Sequence, residues 1–493
     1  MENRDTTKNY IGGQWLPAKE QMQVVSPLSG TLICTAPLSR EDDVNKAVAS
    51  AKAALPDWSK KTAEERSTIV RGLATWLKQQ YGNAGDATEL KSLIVNAIGK
   101  PLPEADIEVI ETAGFIDYFC DIAPQILSSK KIQLSQELWP TKESIIFYEP
   151  VGVVGVIKPW NYPLELPTWA IIPALLAGNT VVFKPSEKSP TVGLLFGQLS
   201  VAAGLPGGVL NVVSGDKETG RLIVEHLDVN MVSFTGSVSA GRWIAEACAR
   251  QLKKVTLELG GNDAAIVLDD VDPELAANGL VWGAFCNAGQ VCVGIKRAFI
   301  QKRISEHLLP MIVKRAQSLR LGVDVGPIID EKQRGEVERL IKDAIDKGAK
   351  VLTGGKRASL QGGIYFEPTV LVDINKSMAL ANEECFGPVL PIQVVDNEHE
   401  AVSLANDSTY GLGASIWTGN ESRGMTLARD LRTGMVWIND VNVAFAETPW
   451  GGTKMSGQGF ELSPECLLEY VVRKHVSIEK SADTRRLWWY PYK

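Results

Sequence analysis

A thiol, a carboxylate and a side-chain amide stand in this chain in three segments whose wording suits carbonyl chemistry. Cys292 follows the turn Asn287-Ala288-Gly289-Gln290 and precedes Gly294, with Arg297 behind it. Glu258 lies 34 residues upstream, closing the run Val255-Thr256-Leu257 and entering Gly260-Gly261. Asn161 sits in Lys158-Pro159-Trp160-Asn161-Tyr162-Pro163, a turn bracketed by prolines. A thiolate adds to an aldehyde carbonyl and gives a tetrahedral thiohemiacetal from which hydride can leave. The amide, together with the Cys292 backbone N–H, can donate to the resulting oxyanion. A carboxylate whose pKa is raised by burial can take a proton from water near neutrality. Each residue also has an ordinary alternative. A Cys in an apolar segment is a small hydrophobe, a strand-end Glu caps the turn that follows, and an Asn before Pro163 suits an Asx-turn. Cys286, six residues before Cys292, lacks this context and reads as a packing or pocket-lining residue.

Groups so far apart in sequence need a sheet to bring them together. From about residue 150, β-branched runs at 151–157, 180–184, 209–213, 231–235 and 254–258 alternate with helical patterns at 163–177, 190–203, 217–227 and 238–252. That alternation predicts βαβ units and a parallel sheet covered on both faces, with ligands beyond the carboxyl ends of the strands. Asn161, Lys184, Gly236 and Glu258 fall at such ends. A second α/β unit runs from about 260 to 465, with an amphipathic helix at 331–348 and strands near 388–395, 413–417 and 434–438. The region before 150 reads as mostly helical. Two β-rich stretches, 129–149 and 471–478, fall outside both units; unpaired strands need a cover, which predicts an oligomerisation arm.

The bulk numbers bound the class. A chain of 493 residues exceeds one ordinary core, and 45% hydrophobic with 22% charged residues is a globular composition. Its 51 bases and 58 acids are mixed, with no basic stripe, so no nucleic-acid partner is expected. Seven scattered cysteines without a C-x-x-C pair or a signal-like start point to the reducing cytoplasm. His226, His307, His399 and His475 lie in no metal-ligand motif, and no protein-bound metal is expected. The uncharged stretch 166–183 is interrupted by Pro167, Pro173 and Gly178, so it reads as a buried helix, a turn and a strand rather than a membrane span.

A cofactor signal follows two of the strands. In Lys184-Pro185-Ser186-Glu187, Lys184 and Glu187 can bond the hydroxyls of an adenine ribose, and a carboxylate there repels a 2′-phosphate, favouring NAD over NADP. Gly236-Ser237 opens a helix whose N-terminal N–H groups suit a pyrophosphate. No G-x-G-x-x-G opens any of these helices.

Together these segments resemble the aldehyde dehydrogenase superfamily, in its non-acylating, NAD(P)-dependent form. The resemblance runs from Tyr10-Ile11-Gly12-Gly13-Gln14-Trp15 to about residue 478 and includes Glu383-Glu384-Cys385-Phe386-Gly387-Pro388 and Pro449-Trp450-Gly451-Gly452. It implies an α/β fold: a parallel-sheet dinucleotide-binding domain (1–128 and 150–258), a second α/β catalytic domain (259–470) and a β oligomerisation arm (129–149 and 471–484). An aromatic C-terminal tail (485–493) extends beyond the resemblance and is expected to pack on its own or a neighbouring subunit. The resemblance makes Cys292 the nucleophile, Glu258 the general base and Asn161 the oxyanion donor. It implies a cofactor site of Trp160, Lys184, Ser186, Glu187, Gly215, Gly236, Ser237, Leu259, Glu384 and Phe386, with Glu384 on the nicotinamide ribose. It also implies a substrate tunnel lined by Tyr162, Trp169 and Trp450, and a homodimer or homotetramer. Phe460 and Asn262 depart from the usual Arg and Lys, and neither removes a catalytic part. The expected reaction is NAD-dependent oxidation of an aldehyde to its acid through a thiohemiacetal and a thioester. The aromatic walls lean toward a hydrophobic, aliphatic or aryl, aldehyde, while Glu165 keeps a cationic one open. Two alternatives stand: transfer of the thioester to coenzyme A, against which Glu258 argues, and a catalytically retired member of the fold.

Overall fold

The computed structural model describes residues 6–82, 87–483 and 489–490. The five expected strands, Val153–Ile157, Thr180–Lys184, Leu210–Val212, Met231–Thr235 and Lys254–Glu258, are mutually parallel. Four of them are buried at every position, as strands must be when helices cover both faces of a sheet. Their spatial order is Leu210–Val212, Thr180–Lys184, Val153–Ile157, Met231–Thr235, Lys254–Glu258, so the connections turn in opposite directions on either side of Val153–Ile157. The crevice at that switch point opens at the carboxyl ends, where Lys158 and Gly236 follow their strands.

The helix Glu165–Leu176 explains the uncharged stretch. It is buried along its whole length, apolar on every side, and ends at a turn that leads into Thr180–Lys184. Among the described residues no helix is long and apolar enough to cross a membrane.

The region before 150 is less uniformly helical than its sequence suggests. The helices Glu41–Lys60, Ala63–Gly82, Ala87–Ile98 and Leu102–Ile126 are there, but Lys8–Ile11 and Gln14–Pro17 form a hairpin that extends the main sheet, Tyr10 lying opposite Val212. Its two-residue loop is Gly12-Gly13, both at positive φ (63° and 83°), the conformation a tight hairpin demands. Short polar strands around a Gly-Gly turn carry too little periodicity to stand out. At the opposite edge Gly457–Gln458 pairs antiparallel with Leu257 and Glu258, bringing a distant segment beside the expected general base.

The second sheet has seven strands in the order Lys350–Thr353, Thr369–Val372, Val389–Val395, Arg297–Gln301, Ala264–Val267, Gly413–Trp417, Met435–Ile438. The chain crosses from one sheet to the other between Glu258 and Ala264. Arg297 fastens that crossing by donating to the carbonyls of Asn262 (2.9 Å), Leu404 (3.0 Å) and Ala405 (3.1 Å).

Apart from both sheets, Lys142–Pro150 and Val471–Glu479 pair antiparallel over nine residues each, with Lys130–Ile132 as a third strand. Register places Phe147, Val472 and Ile478 on one face of this ribbon, and all three are exposed. The aromatic tail falls outside the described residues except for Trp489 and Tyr490, which are exposed.

Candidate active site

The nucleophile candidate stands on a tightly constrained turn. The helix Pro273–Phe285 ends at Cys286, and the next three residues, Asn287, Ala288 and Gly289, all lie at positive φ (48°, 55° and 71°). Two successive non-glycine residues in that region persist only where their surroundings over-determine them. Here Gln290 donates to Asn287 O (2.9 Å) and Pro327 O (3.1 Å) and accepts from the Ile329 N–H (2.9 Å), while Lys296 Nζ donates to Gly289 O (2.6 Å). Gly289 is required: a Cβ there would lie 2.0 Å from Gly387 O.

Asn161 reaches this turn from the first sheet. Its Nδ2 donates to Gln290 O (3.2 Å), Asn287 Nδ2 donates back to Asn161 O (3.2 Å), and its Oδ1 is buried without a hydrogen-bond partner. Glu258 ends its strand fully buried, with Oε1 likewise unpartnered. Behind it Lys158 donates to Thr235 Oγ1 (2.8 Å) and pairs with Glu461.

Burial dominates the electrostatics. It pushes the Cys292 thiol well above the usual thiol range, with the carboxyls of Asp263, Glu384 and Glu258 adding to the shift. It pushes Glu258 well above the carboxylate range too; Glu461 reinforces this and Lys158 opposes it. Burial thus favours the protonated form of both groups, and each becomes reactive on losing its proton.

The cofactor candidates divide. Trp160, Lys184, Ser186, Glu187, Gly236 and Ser237 line one open cleft at the switch point. Buried Lys184 donates to Pro185 O (2.9 Å) and lies 3.8 Å from Glu187 Oε2, and Ser237 caps the helix Val238–Ala249. A cation, a carboxylate and a helix N-terminus in this order fit the ribose and pyrophosphate of a dinucleotide. Phe386 packs edge-on against Trp160 (5.8 Å). Glu384 is folded against the Gly260-Gly261 turn, where it accepts the Gly261 N–H and is pushed up to about 7 by burial. Gly260 leaves it room, since a Cβ there would lie 2.1 Å from Glu384 Oε2. Glu384 and Phe386 thus stand beside the cleft rather than in its wall, and two further expected residues are also absent from the wall. Gly215 is buried against Thr219 and Leu259 against Gly241, so they pack the elements beneath.

Tyr162, Trp169 and Trp450 line a second cavity that ends on Cys292 and also includes Cys286. Four carboxylates share its walls: Glu104, Glu108 and Glu111 on the helix Leu102–Ile126, and Glu165. Of these, sequence alone marks only Glu165 as a tunnel residue. The spacing Glu104-x-x-x-Glu108-x-x-Glu111 puts the first three on one helix face and was the available signal. Glu104 accepts the Asn287 N–H (2.9 Å) and is pushed up to about 7, chiefly by burial. Glu108 accepts from the N–H groups of Leu164 (2.9 Å) and Glu165 (3.3 Å) and forms a buried ion pair with Lys100 (2.6 Å). Lys100 Nζ also lies 3.5 Å from the centre of the Tyr162 ring. Glu165 is pushed well above the carboxylate range by burial, then by Glu111 and Glu108, and its Oε2 has no hydrogen-bond partner.

The sequence pattern of the Aldehyde dehydrogenase family matches residues 15–476. The chain belongs to that family. This aldehyde dehydrogenase is 38% identical to betaine aldehyde dehydrogenase of Bacillus subtilis (strain 168), over 95% of its own length and 96% of the relative's. It is 35% identical to the peroxisomal aminoaldehyde dehydrogenase 2 of Pisum sativum, covering 96% and 95% of the two chains. Among solved structures, betaine aldehyde dehydrogenase from Staphylococcus aureus in complex with NAD+ superposes with a TM-score of 0.93 at 34% identity, covering 98% of this chain and 97% of the other. An E. coli NADP-dependent enzyme gives 0.91 at 35% identity, covering 96% and 98%. The aldehyde dehydrogenase is thus an NAD(P)-dependent α/β oxidoreductase acting on aldehydes.

Proposed function

We propose that this aldehyde dehydrogenase oxidises an aldehyde carrying a positively charged amine at its far end, with NAD as oxidant and water as acyl acceptor. The observation that carries the substrate class is the set of four glutamates around an aromatic-walled cavity that ends on Cys292, whose lining holds no Lys or Arg, Lys100 pairing with Glu108 from behind the wall. A cation stabilises the ionised form of the carboxyls that burial has raised, an apolar chain offers them no counter-charge, and a semialdehyde carboxylate opposes their ionisation. The hydrophobic aldehyde favoured from sequence therefore yields to a cationic one. Relatives named for betaine aldehyde and aminoaldehydes support this reading, while others are named for glutarate and succinate semialdehydes.

In the proposed mechanism the Cys292 thiol gives its proton to water and the thiolate adds to the aldehyde carbonyl. Asn161 Nδ2 and the Cys292 N–H hold the oxyanion. The bound dinucleotide supplies the hydride acceptor. Glu258 then takes a proton from the water that attacks the thioester, releasing the acid and restoring the thiol. Lys184, Glu187, Gly236 and Ser237 would hold the cofactor, with Trp160, Phe386 and Glu384 beside it and Glu384 as the partner of the nicotinamide ribose. The first sheet serves as the cofactor-binding unit and the second as the catalytic unit. The exposed apolar face of the ribbon formed by Lys142–Pro150 and Val471–Glu479 joins subunits into a homodimer or homotetramer, and the enzyme works in the cytoplasm.

The test is NADH formation over size-matched cationic, neutral and anionic aldehydes. Higher kcat/KM for the cationic members supports the reading; a preference for the neutral or anionic ones overturns it.

A further inference from the structure

We infer that Glu165 makes this tunnel selective for an ammonium that still bears N–H bonds, a primary or secondary amine, over a quaternary trimethylammonium. The inference rests on the cationic-aldehyde reading above and names the class within it. Glu165 is 4% exposed and lines the cavity, yet its Oε2 has no hydrogen-bond partner. The other buried carboxylates there are engaged: Glu108 by Lys100 and two backbone N–H groups, Glu104 by the Asn287 N–H. A buried acceptor left without a donor is costly, and a charge-assisted hydrogen bond is the strong way to remove that cost. An N–H-bearing cation supplies both charge and donor. A quaternary ammonium supplies charge alone, behind three methyl groups.

Of the four aromatic residues that line the cavity, Tyr162, Trp169, Trp282 and Trp450, two offer a quaternary group less than their rings suggest. Such a cation is held by the faces of aromatic rings. The Tyr162 ring already carries the Lys100 ammonium, 3.5 Å from its centre, and a second cation on the same ring competes for one quadrupole and meets like-charge repulsion. Trp169 is committed to edge contacts with Phe115 (5.7 Å) and Trp450 (5.2 Å). Trp169 Nε1 and the side-chain amide of Asn442 also line the cavity without partners, but Glu165 Oε2 is the one carboxylate oxygen among these atoms, and a carboxylate is the acceptor an ammonium N–H binds most strongly.

The experiment compares kcat/KM for 3-aminopropanal, its N,N,N-trimethyl analogue and butanal, in the wild-type enzyme and in Glu165→Gln. The wild type should favour 3-aminopropanal over the quaternary analogue by about tenfold or more, as expected for one charge-assisted hydrogen bond. Glu165→Gln should lower the ratio of 3-aminopropanal to butanal by about tenfold or more, through KM rather than kcat. Equal wild-type kcat/KM for the two cations, both above butanal, overturns the role of Glu165 and leaves the cationic-aldehyde reading standing. Butanal above both cations overturns the two together. A uniform fall on all three aldehydes in Glu165→Gln also overturns the role. The wild-type ranking decides the matter if the variant fails to fold.

Discussion

Lys100 and Glu108 form an ion pair of 2.6 Å in which neither side chain reaches solvent, and through it the helix Leu102–Ile126 grips the start of the helix Glu165–Leu176. Glu108 accepts the Leu164 and Glu165 N–H groups, which have no partner within their own helix, and Lys100 braces Tyr162 from the side. The loop carrying Asn161 and Tyr162 is therefore fixed by a buried charge pair that makes no contact with Cys292. Lys100→Met should leave Glu108 charged, buried and alone, at a cost of about 3–5 kcal/mol. Calorimetry should find a lowered Tm, and the double variant Lys100→Met, Glu108→Gln should recover most of it. A single variant as stable as wild type would refute the bracing role.

Cys292→Ala should abolish NADH formation while dinucleotide binding persists, as titration with NAD would register. The elevated thiol pKa adds a pH signature. In the free enzyme, alkylation of Cys292 by iodoacetamide should be far slower near pH 7 than that of free cysteine and should accelerate as pH rises, because only the thiolate reacts. Peptide mass spectrometry reads the rate at this one position.

Glu258→Gln should stall the second half of the reaction. NADH release in a burst of about one equivalent, with an acyl adduct on Cys292 visible by intact mass, is the expected result, and steady-state turnover should fall by about 10²–10⁴. A uniform loss with no burst and no adduct would assign the water-activating role elsewhere.

Glu461 and Lys158 act on Glu258 in opposite senses. Glu461→Gln removes a neighbouring negative charge, so Glu258 should ionise at lower pH and the acidic limb of kcat should move down. Lys158→Met removes the opposing cation and should move the same limb up. Shifts in the same direction for both variants would contradict this arrangement.

The ribbon yields an assembly prediction. Asp in place of Phe147 and Val472 puts charges on its exposed apolar face and should lower the sedimenting mass below that of wild type. A monomeric wild type would remove the premise.

Glu258 and Asn161 could be read because each lies where a strand gives way to a turn, and the βαβ rhythm says where such places face; Cys292 instead follows a helix, and the wording of its turn drew attention to it. The five parallel strands were legible because burial on both faces leaves near-continuous apolar runs. Glu104, Glu108 and Glu111 were not. On a helix taken as generic, acids three and four residues apart read as a solvated face, and only tertiary packing shows that this face looks into a cavity. Lys100 escaped notice likewise, since one Lys before a Pro does not announce a buried ion pair. The position of Glu384 against Gly260 could not be read from sequence, because it depends on a glycine in the crossing between the two sheets.

The four acids are not equally free to change. Glu104 holds the turn before Cys292 through Asn287, and Glu108 holds the loop that bears Asn161. Substituting either disturbs the reactive centre itself. Ile107 and Glu111, on the same helix face, and Glu165 line the cavity without bonding that centre through their side chains in any recorded contact. Descendants of this enzyme can therefore drift to new aldehydes through three positions while the machinery stays intact, and a library built on 107, 111 and 165 is where retargeting should begin.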